Sequence, residues 1–192
     1  MQVGQLVSVN VNTPSKWGLV LGVVGVKVYV QWGFKAEWHN QENLGRWWSL
    51  AGVGTYLIDW VRWLFIPTCG SICRLDSIIS RGRLSCRGDE AATVNLQFKS
   101  GATAQICSSV LADDPTRSEI IGSAGYAYCE NTFGQTGGGL IKISGKRLHF
   151  DFINPYVREI DDFVSAINNG RKLKISGEEG LRNIGCSLKA RC

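Results

Sequence analysis

The sequence predicts an α+β fold, a single domain in which a large, mostly antiparallel β-sheet carries helices packed on one face. Residues 44–65 place apolar side chains at helical spacing, residues 70–152 alternate apolar and polar side chains between glycine-containing turns, and residues 154–189 hold two further helical patterns. Short turns favour antiparallel pairs, and a sheet with one apolar face needs helices to cover it. The chain of 192 residues suits one domain, residues 1–192.

The stretch from residue 44 to residue 65 predicts a helix with two different faces. Read at 100° per residue, one face is apolar and comprises Val53, Leu57, Trp60, Val61 and Leu64. The opposite face comprises Gly52, Tyr56, Asp59 and Trp63. Because glycine has no side chain, it leaves room beside the phenol, the carboxylate and the indole of the other three residues. Such a surface is suited to form one wall of a cleft. Pro67 is expected to end this helix because proline cannot continue the hydrogen-bond ladder.

The N-terminal part predicts further β-structure. Residues 4–12 alternate and are rich in β-branched side chains, which is typical of a strand. Residues 19–31 predict either one more strand or a hairpin that turns near Gly22 or Gly25. Residues 34–45 predict a loop that leads into the central helix.

The middle of the chain predicts a succession of antiparallel strands. Lys99 to Gly101 and residues 122–125 have the composition of tight turns, which makes hairpins of the strands on either side. The predicted strands are residues 71–80, 91–98, 102–110, 117–121, 126–130, 140–144 and 147–152.

Two helices are predicted to close the chain. Asn154 is a suitable N-cap with Pro155 at the first helical position, and apolar residues follow at helical spacing until Gly170. Ser176 and Glu179 have the spacing of a capping box for the last helix. That helix is expected to bury Leu181, Ile184 and Leu188.

Composition excludes several classes of protein. The formal net charge of +5 includes two loose basic loops, at residues 81–87 and 171–174, without interleaved aromatic residues, so the sequence favours a solvated surface over a nucleic-acid site. No apolar run is long enough to span a membrane and no export signal is seen, so we expect a cytoplasmic protein. Seven cysteines without a second close pair predict reduced thiols, most of them filling the core, and no metal site.

Residues 54–59, Gly-Thr-Tyr-Leu-Ile-Asp, resemble a motif of the Gfo/Idh/MocA oxidoreductases (glucose-fructose oxidoreductase, inositol dehydrogenase and relatives). Many of these enzymes carry Gly-Gly-x-x-x-Asp-x-Gly-x-His-x-x-Asp on the first long helix of their C-terminal domain. Tyr56 stands where the catalytic histidine often lies, and tyrosine does occur there in the glucose-fructose oxidoreductase branch. Gly52 stands where the family often has an aspartate, so the usual acid/base arrangement is altered.

The resemblance implies a fold and a set of site residues. It is clearest over residues 4–12 and 45–189, including the closing segment Asn-Pro-Tyr-Val-Arg-Glu-Ile-Asp-Asp-Phe, and no family counterpart is seen for residues 19–31. By resemblance, Tyr56 is the candidate proton donor or catalytic substrate contact. The candidate substrate-binding residues are Trp48, Gly52, Asp59 and Trp63. From the residues alone, Asp59 is equally suited to an ion pair with Arg62 or Arg46, and the tryptophans to ordinary packing.

The family's cofactor-binding half has no counterpart in the sequence. Family enzymes hold a nicotinamide cofactor on an N-terminal Rossmann domain, whose glycine-rich turn opens a helix. Here no Gly-x-Gly-x-x-Gly follows a strand and opens a helix, and residues 137–139 lead into a strand instead. We therefore expect this chain alone to bind no cofactor, with NAD(P) implied only for a full-length relative.

Two functional classes follow. In the first, the chain is a C-terminal substrate-binding and oligomerisation domain, not catalytically competent without a separate Rossmann-domain partner. In the second, it is a free-standing small-ligand-binding or assembly module that reuses the same sheet. The resemblance implies a homo-oligomer through the open sheet face in both. A weaker third hypothesis is an enzyme that acts through Tyr56 without a cofactor.

Overall fold

The computed structural model describes most of the chain after residue 48 and three strands before it. The described residues are 49–82, 88–111, 116–134 and 137–190, with the backbone of β1 (Leu6–Val7), β2 (Leu19–Val20) and β3 (Val23–Tyr29). Trp48 and Arg46, both named above, lie outside this part of the chain.

The elements confirm the predicted α+β class. A π-helical turn at Leu50–Gly54 runs into α1 (Thr55–Cys69), and strands follow until two helices end the chain. The strands are β4 (Ile72–Ser80), β5 (Ala91–Phe98), β6 (Thr103–Ser109), β7 (Arg117–Gly122), β8 (Gly125–Glu130), β9 (Leu140–Ile143) and β10 (Lys146–Leu148). The closing helices are α2 (Pro155–Asn169) and α3 (Gly177–Lys189).

Eight strands form one sheet in the order β10-β9-β8-β7-β3-β6-β5-β4. Neighbours pair antiparallel except β3 and β6, which pair parallel, so β3 joins two antiparallel meanders. β1 and β2 form a separate two-stranded sheet. The sequence predicted either one strand or a hairpin for residues 19–31. The described part of this segment shows neither, because β2 and β3 belong to different sheets.

One face of the sheet is covered by α1. Alternate residues of β5 and β6, such as Val94, Leu96 and Ile106, are at most 2% exposed and contribute to one core with α1. Phe65 of α1 stacks on Phe98, with ring centroids 5.5 Å apart and an interplanar angle of 29°. This packing sets the direction in which the remaining face of α1 points.

The predicted end of the central helix was wrong. Pro67 lies inside α1, which continues to Cys69 and ends at Gly70, where φ is +76°. Because proline has no N–H, Pro67 lacks the backbone hydrogen bond to the carbonyl of Trp63. In the last turn this is the only hydrogen bond lost, so the helix tolerates the proline there. The positive φ at Gly70, which suits glycine, then ends the helix.

The two closing helices differ in how well the sequence predicted them. Asn154 caps α2 as expected, since its Oδ1 accepts a hydrogen bond from the Tyr156 N–H at 2.9 Å. For α3, the capping box was wrong: in this described segment the Ser176 hydroxyl caps no backbone N–H of the helix, and the Glu179 carboxylate instead binds Arg62 at 3.0 Å.

The predicted burial of α3 was also wrong. Leu181, Ile184 and Leu188 are 69%, 54% and 48% exposed, and the face of α3 that packs on the domain carries Asn183 and Ser187 instead. A polar packing face is possible because Asn183 finds hydrogen-bond partners on α1. The apolar stripe of α3 therefore points away from the core.

The glycine-containing loop before β9 is a packing site. A side chain on Gly138 would collide with the Phe152 ring, and one on Gly137 with the backbone carbonyl of Ile153. The segment after β10 thus lies against this loop, which explains why the strand predicted to run to residue 152 ends at Leu148.

Candidate functional site

The solvent face of α1 and of the turn before it carries four of the five predicted site residues. Tyr56 and Trp63 are 66% and 61% exposed, and the Asp59 side chain is 44% exposed. Among the described residues, and apart from the helix's own backbone, no atom lies within 4 Å of the position where Gly52 would carry a Cβ. The predicted grouping of Gly52, Tyr56, Asp59 and Trp63 on one face is therefore present, and their role in binding stays a prediction.

A buried hydrogen-bond cluster holds the start of this helix. The Asp89 Oδ2 accepts the Leu50 N–H at 2.5 Å, and the Asp89 carbonyl accepts the Ser49 N–H at 2.8 Å. Ser49 also donates its hydroxyl to the hydroxyl of Ser108 on β6 at 2.8 Å. Asp89 is fully buried, so it satisfies N–H groups that would otherwise have no partner at the helix start.

Gly54 brings the π-helical turn close to the sheet. A Cβ at this position would lie 2.9 Å from Leu50 Cδ1 and 3.2 Å from the Ser108 Oγ. The glycine of the sequence motif therefore serves close packing of the turn against β6. Asp89 lies between the predicted strands at residues 71–80 and 91–98, and no local pattern indicated this cluster because its partner Leu50 is 39 residues away.

Arg62 connects the candidate face to α3. It is only 5% exposed, contacts Glu179 at 3.0 Å and lies 3.9 Å from Asp59. Of the two ion pairs that the sequence allowed for Asp59, the structure thus shows the one with Arg62, and Arg46 lies outside the described residues. Glu179 also pairs with Arg182. Burial raises the pKa of the Asp59 carboxyl, Arg62 opposes this rise, and the charge of Glu179 adds to it. Asp59 therefore keeps its proton to a higher pH than an ordinary aspartate.

A second contact fixes α3 beside the candidate face. Asn183 donates to the carbonyl and the hydroxyl oxygen of Thr55, both at 2.9 Å, one residue before Tyr56. With Glu179 at Arg62 and Asn183 at Thr55, α3 lies along α1 and borders the same region of the surface. The two sides of this contact are 128 residues apart in sequence, so no local pattern indicated it.

Trp60 is a packing residue, which is the plainer of the two roles the sequence allowed for the tryptophans. Its ring meets Phe133 edge to face, with centroids 5.5 Å apart and an interplanar angle of 80°. Trp63, on the open face, is thus the described tryptophan of α1 that is available to a ligand.

The cysteines occupy different environments. Cys69 and Cys129 are buried, Cys107 and Cys186 are half-buried and Cys73 is exposed. Burial raises the pKa of the Cys129 thiol, and a hydrogen bond with Ser118 opposes this rise. Within the described ranges no three His, Cys, Asp or Glu side chains form a group that could hold a metal ion.

The open face of the sheet contains a groove of about 650 Å³ across β7, β8 and β9. Its lining residues are Glu119, Ile121, Tyr126, Ala127, Tyr128, Glu130, Leu140 and Lys142. Tyr128 donates its hydroxyl to Glu130 at 2.7 Å, and this hydrogen bond raises the pKa of the phenol. The groove combines two aromatic rings with charged groups of both signs.

The order of the strands and the helix that covers them define a class: an α+β domain in which a mixed eight-stranded sheet carries the central helix on one face. The chain matches the model of the GFO/IDH/MocA C-terminal domain over residues 2–128, and it belongs to this family. The matched range also spans residues 19–31, for which the sequence alone suggested no family counterpart.

Solved structures share the fold at low sequence identity. The aldose-aldose oxidoreductase from Caulobacter crescentus, complexed with glycerol, is 20% identical with a TM-score of 0.75, over 88% of this chain and 54% of its own. UDP-N-acetylglucosamine 3-dehydrogenase GnnA from Acidithiobacillus ferrooxidans is 17% identical with a TM-score of 0.69, over 88% and 52%. KijD10, a 3-ketoreductase from Actinomadura kijaniata in complex with TDP-benzene and NADP, is 15% identical with a TM-score of 0.70, over 88% and 52%.

The chain thus spans about half the length of these structures. A search of curated proteins found no match. Among the described residues, no helix is both long and apolar enough to cross a lipid bilayer.

Proposed function

We propose that this chain is the substrate-side half of an NAD(P)-dependent oxidoreductase and is catalytically incomplete without a cofactor-binding partner. The observation that carries the proposal is the open face of α1: Tyr56, Asp59 and Trp63 stand together, exposed, on a helix that the core and Asp89 hold in place. Side chains on a rigid helix can position a substrate with little loss of conformational freedom.

Each residue has a role that fits its surroundings. Tyr56 offers a phenol that donates or accepts a proton at a substrate oxygen. Asp59, whose pKa burial raises, is suited to orient a substrate hydroxyl, with the Arg62 guanidinium 3.9 Å away. Trp63 presents an aromatic ring to which the apolar face of a sugar ring can bind. The open space at Gly52 admits the ligand next to the phenol.

The substrate we propose is a sugar or sugar nucleotide. Two of the similar structures are named for an aldose and for UDP-N-acetylglucosamine, and a third contains a TDP derivative with NADP. A hydroxyl-rich molecule matches a wall made of a phenol, a carboxylate and an indole.

The cofactor belongs to the partner in this proposal. Hydride transfer requires the nicotinamide and the substrate in direct contact, so the partner must present it to the Tyr56 face. Gly137 and Gly138 lie against Ile153 and Phe152, so the glycines of this turn serve packing within the domain.

Replacing Tyr56 by phenylalanine is expected to weaken sugar binding by the wild-type chain roughly threefold to tenfold, the worth of one hydrogen bond. Binding of D-glucose and of UDP-N-acetylglucosamine is measured by saturation-transfer difference NMR. In a separate titration, NADH alone is expected to bind with a dissociation constant no lower than about 1 mM.

The same measurement separates this proposal from a ligand-binding module. The groove on the open sheet face favours that second function. Tyr128→Phe removes one hydroxyl from the groove, and Tyr56→Phe removes one hydroxyl from the solvent face of α1, so the two variants are matched. Loss of binding in Tyr128→Phe alone assigns the ligand to the groove. Binding that neither substitution affects, or no binding at all, contradicts the proposed role of Tyr56.

We also propose that the chain forms a homo-oligomer through the open sheet face. Ile121 and Tyr126, which lie opposite each other on β7 and β8, are 45% and 49% exposed and give this polar face an apolar centre. Substituting Ile121 by lysine is expected to convert the oligomer to a monomer in light scattering, whereas Arg158→Glu on α2, away from the sheet, leaves its mass unchanged. A wild-type chain that is monomeric at high micromolar concentration refutes this interface.

A further inference from the structure

Two carboxylates compete for one buried cation beside the candidate site. Arg62 is 5% exposed, and both terminal nitrogens of its guanidinium donate to α3. Nη2 donates to the Glu179 carboxylate at 3.0 Å, and Nη1 donates to the Glu179 carbonyl at 3.5 Å. The Asp59 carboxylate, one turn earlier on α1, lies 3.9 Å from Nη1, which is too long for a hydrogen bond. Arg62 is therefore bound to α3 rather than to the aspartate on its own helix.

The buried guanidinium needs an anionic partner. Arginine keeps its charge in a protein, and a buried charge without a partner is strongly destabilising. An aspartate three residues before an arginine on a helix is placed to form an ion pair with it. If the charge of Glu179 were removed, Asp59 would be the described carboxylate left to neutralise Arg62.

Contacts that do not involve Glu179 hold α3 beside α1. Asn183 donates to the carbonyl and hydroxyl oxygens of Thr55, both at 2.9 Å. At the other end of α3, the Ser77 hydroxyl on β4 donates to the carbonyl of the fully buried Ala190. A substitution at Glu179 can therefore change the charge next to the guanidinium without releasing the helix.

We infer that Glu179 is a positioning residue of the candidate site: it holds the Arg62 guanidinium on α3 and so leaves the Asp59 carboxylate free for a substrate hydroxyl. The role of that hydroxyl rests on the proposed function, whereas the competition between the two carboxylates does not. The Asp59 side chain is 44% exposed and accepts no hydrogen bond from another described side chain, so its oxygens are open to a ligand.

The charges around Asp59 come from its own helix and from α3. Burial raises the pKa of the Asp59 carboxyl, Arg62 opposes this rise, and the charge of Glu179 adds to it. The second carboxylate oxygen of Glu179 pairs with Arg182, and the thiol of Cys186 also lies near Arg62. Removing the charge of Glu179 should therefore lower the pKa of Asp59 in two ways, by ending the repulsion between the carboxylates and by releasing Arg62 to Asp59.

Carbon NMR of the 13C-labelled 192-residue chain follows the titration of the Asp59 carboxyl without any ligand, and Asp59→Asn identifies its signal. Glu179→Gln keeps the shape of the side chain and an acceptor oxygen but loses the charge, so the titration midpoint of Asp59 should move to lower pH. Arg62→Met keeps an apolar stem and loses the cation, so the midpoint should move to higher pH. The Glu179 side chain is 41% exposed, so Glu179→Gln should fold normally.

Glu178→Gln is the matched control. It makes the same change in net charge one residue earlier, where Glu178 has Ser176 and Arg182 as its neighbours. The Asp59 midpoint in this variant should equal that of the wild type. In saturation-transfer difference NMR at neutral pH, sugar should bind at least about threefold more weakly to Glu179→Gln than to Glu178→Gln, because the guanidinium then occupies the carboxylate.

Three results overturn the inference: an Asp59 midpoint that does not move in Glu179→Gln, one that moves equally in Glu178→Gln, and one that moves to lower pH in Arg62→Met. Tyr56→Phe separates this inference from the proposed function. If sugar binding depends on Tyr56 but the Asp59 midpoint does not respond to Glu179, the positioning role alone is wrong. If the midpoint responds as expected but the wild-type chain binds no sugar, the proposed function is wrong and the control of Asp59 by Glu179 is supported.

Discussion

Replacing Phe65 by alanine is expected to lower the free energy of unfolding by about 4 kcal/mol, which would leave a domain of ordinary stability close to unfolding. Phe65 is 1% exposed and stacks on Phe98 of β5, so its removal loses apolar burial and leaves a cavity between helix and sheet. Urea denaturation followed by circular dichroism measures the change. We expect a lower midpoint with an unchanged slope.

Trp63→Ala is the matched control for this prediction. It removes an even larger aromatic side chain from the same helix, two residues earlier, but Trp63 is 61% exposed. The expected loss is within about 0.5 kcal/mol, as for other surface substitutions. Equal losses in the two variants would mean that α1 does not pack on the sheet through the face described.

The two faces of α1 could be predicted from local spacing. Helical periodicity alone places Tyr56 and Trp63 on the side opposite Leu57 and Val61, and the structure shows the same division. The buried arc is wider than predicted, because the sheet covers one side of the helix and α3 covers another. Arg62 lies in that extra arc, since Glu179 is available to pair with it.

Partners that are distant in sequence explain what could not be predicted. β3 pairs with β6 in parallel across α1, β4 and β5, and no local pattern in residues 23–29 selects that neighbour over another. The hairpins from β4 to β6 were predictable, because turns such as the one at Gly101 connect adjacent strands. The role of Asp89 could not be predicted for the same reason, because its hydrogen-bond partner Leu50 lies 39 residues away in the sequence.

The closing helices show what an apolar stripe can indicate. The spacing of Leu181, Ile184 and Leu188 predicted a surface that is buried against something, and burial in the chain's own core was the simplest reading. The structure instead exposes these side chains and packs the polar side of α3 on α1. A periodic stripe predicts a contact, but its partner need not belong to the same domain.

Replacing Asp89 by alanine is expected to lower the free energy of unfolding by about 2–3 kcal/mol and to loosen the start of α1. The fully buried Asp89 accepts the Leu50 N–H at 2.5 Å, and alanine leaves that donor buried without this partner. Asp89→Asn keeps an acceptor oxygen, so about 1 kcal/mol is expected. Urea denaturation measures both losses, and amide exchange at Leu50 should accelerate in step with them.

The control for this prediction is Asp76→Ala, which removes an exposed carboxylate on β4 whose partner is Arg74. A surface pair of this kind contributes about 0–1 kcal/mol. If Asp89→Ala costs no more than Asp76→Ala, the Asp89 cluster does not hold the helix. If it costs as predicted, sugar binding should fall in Asp89→Ala as well, although Asp89 is buried and cannot touch a ligand, because Tyr56 and Gly52 depend on the helix start for their position.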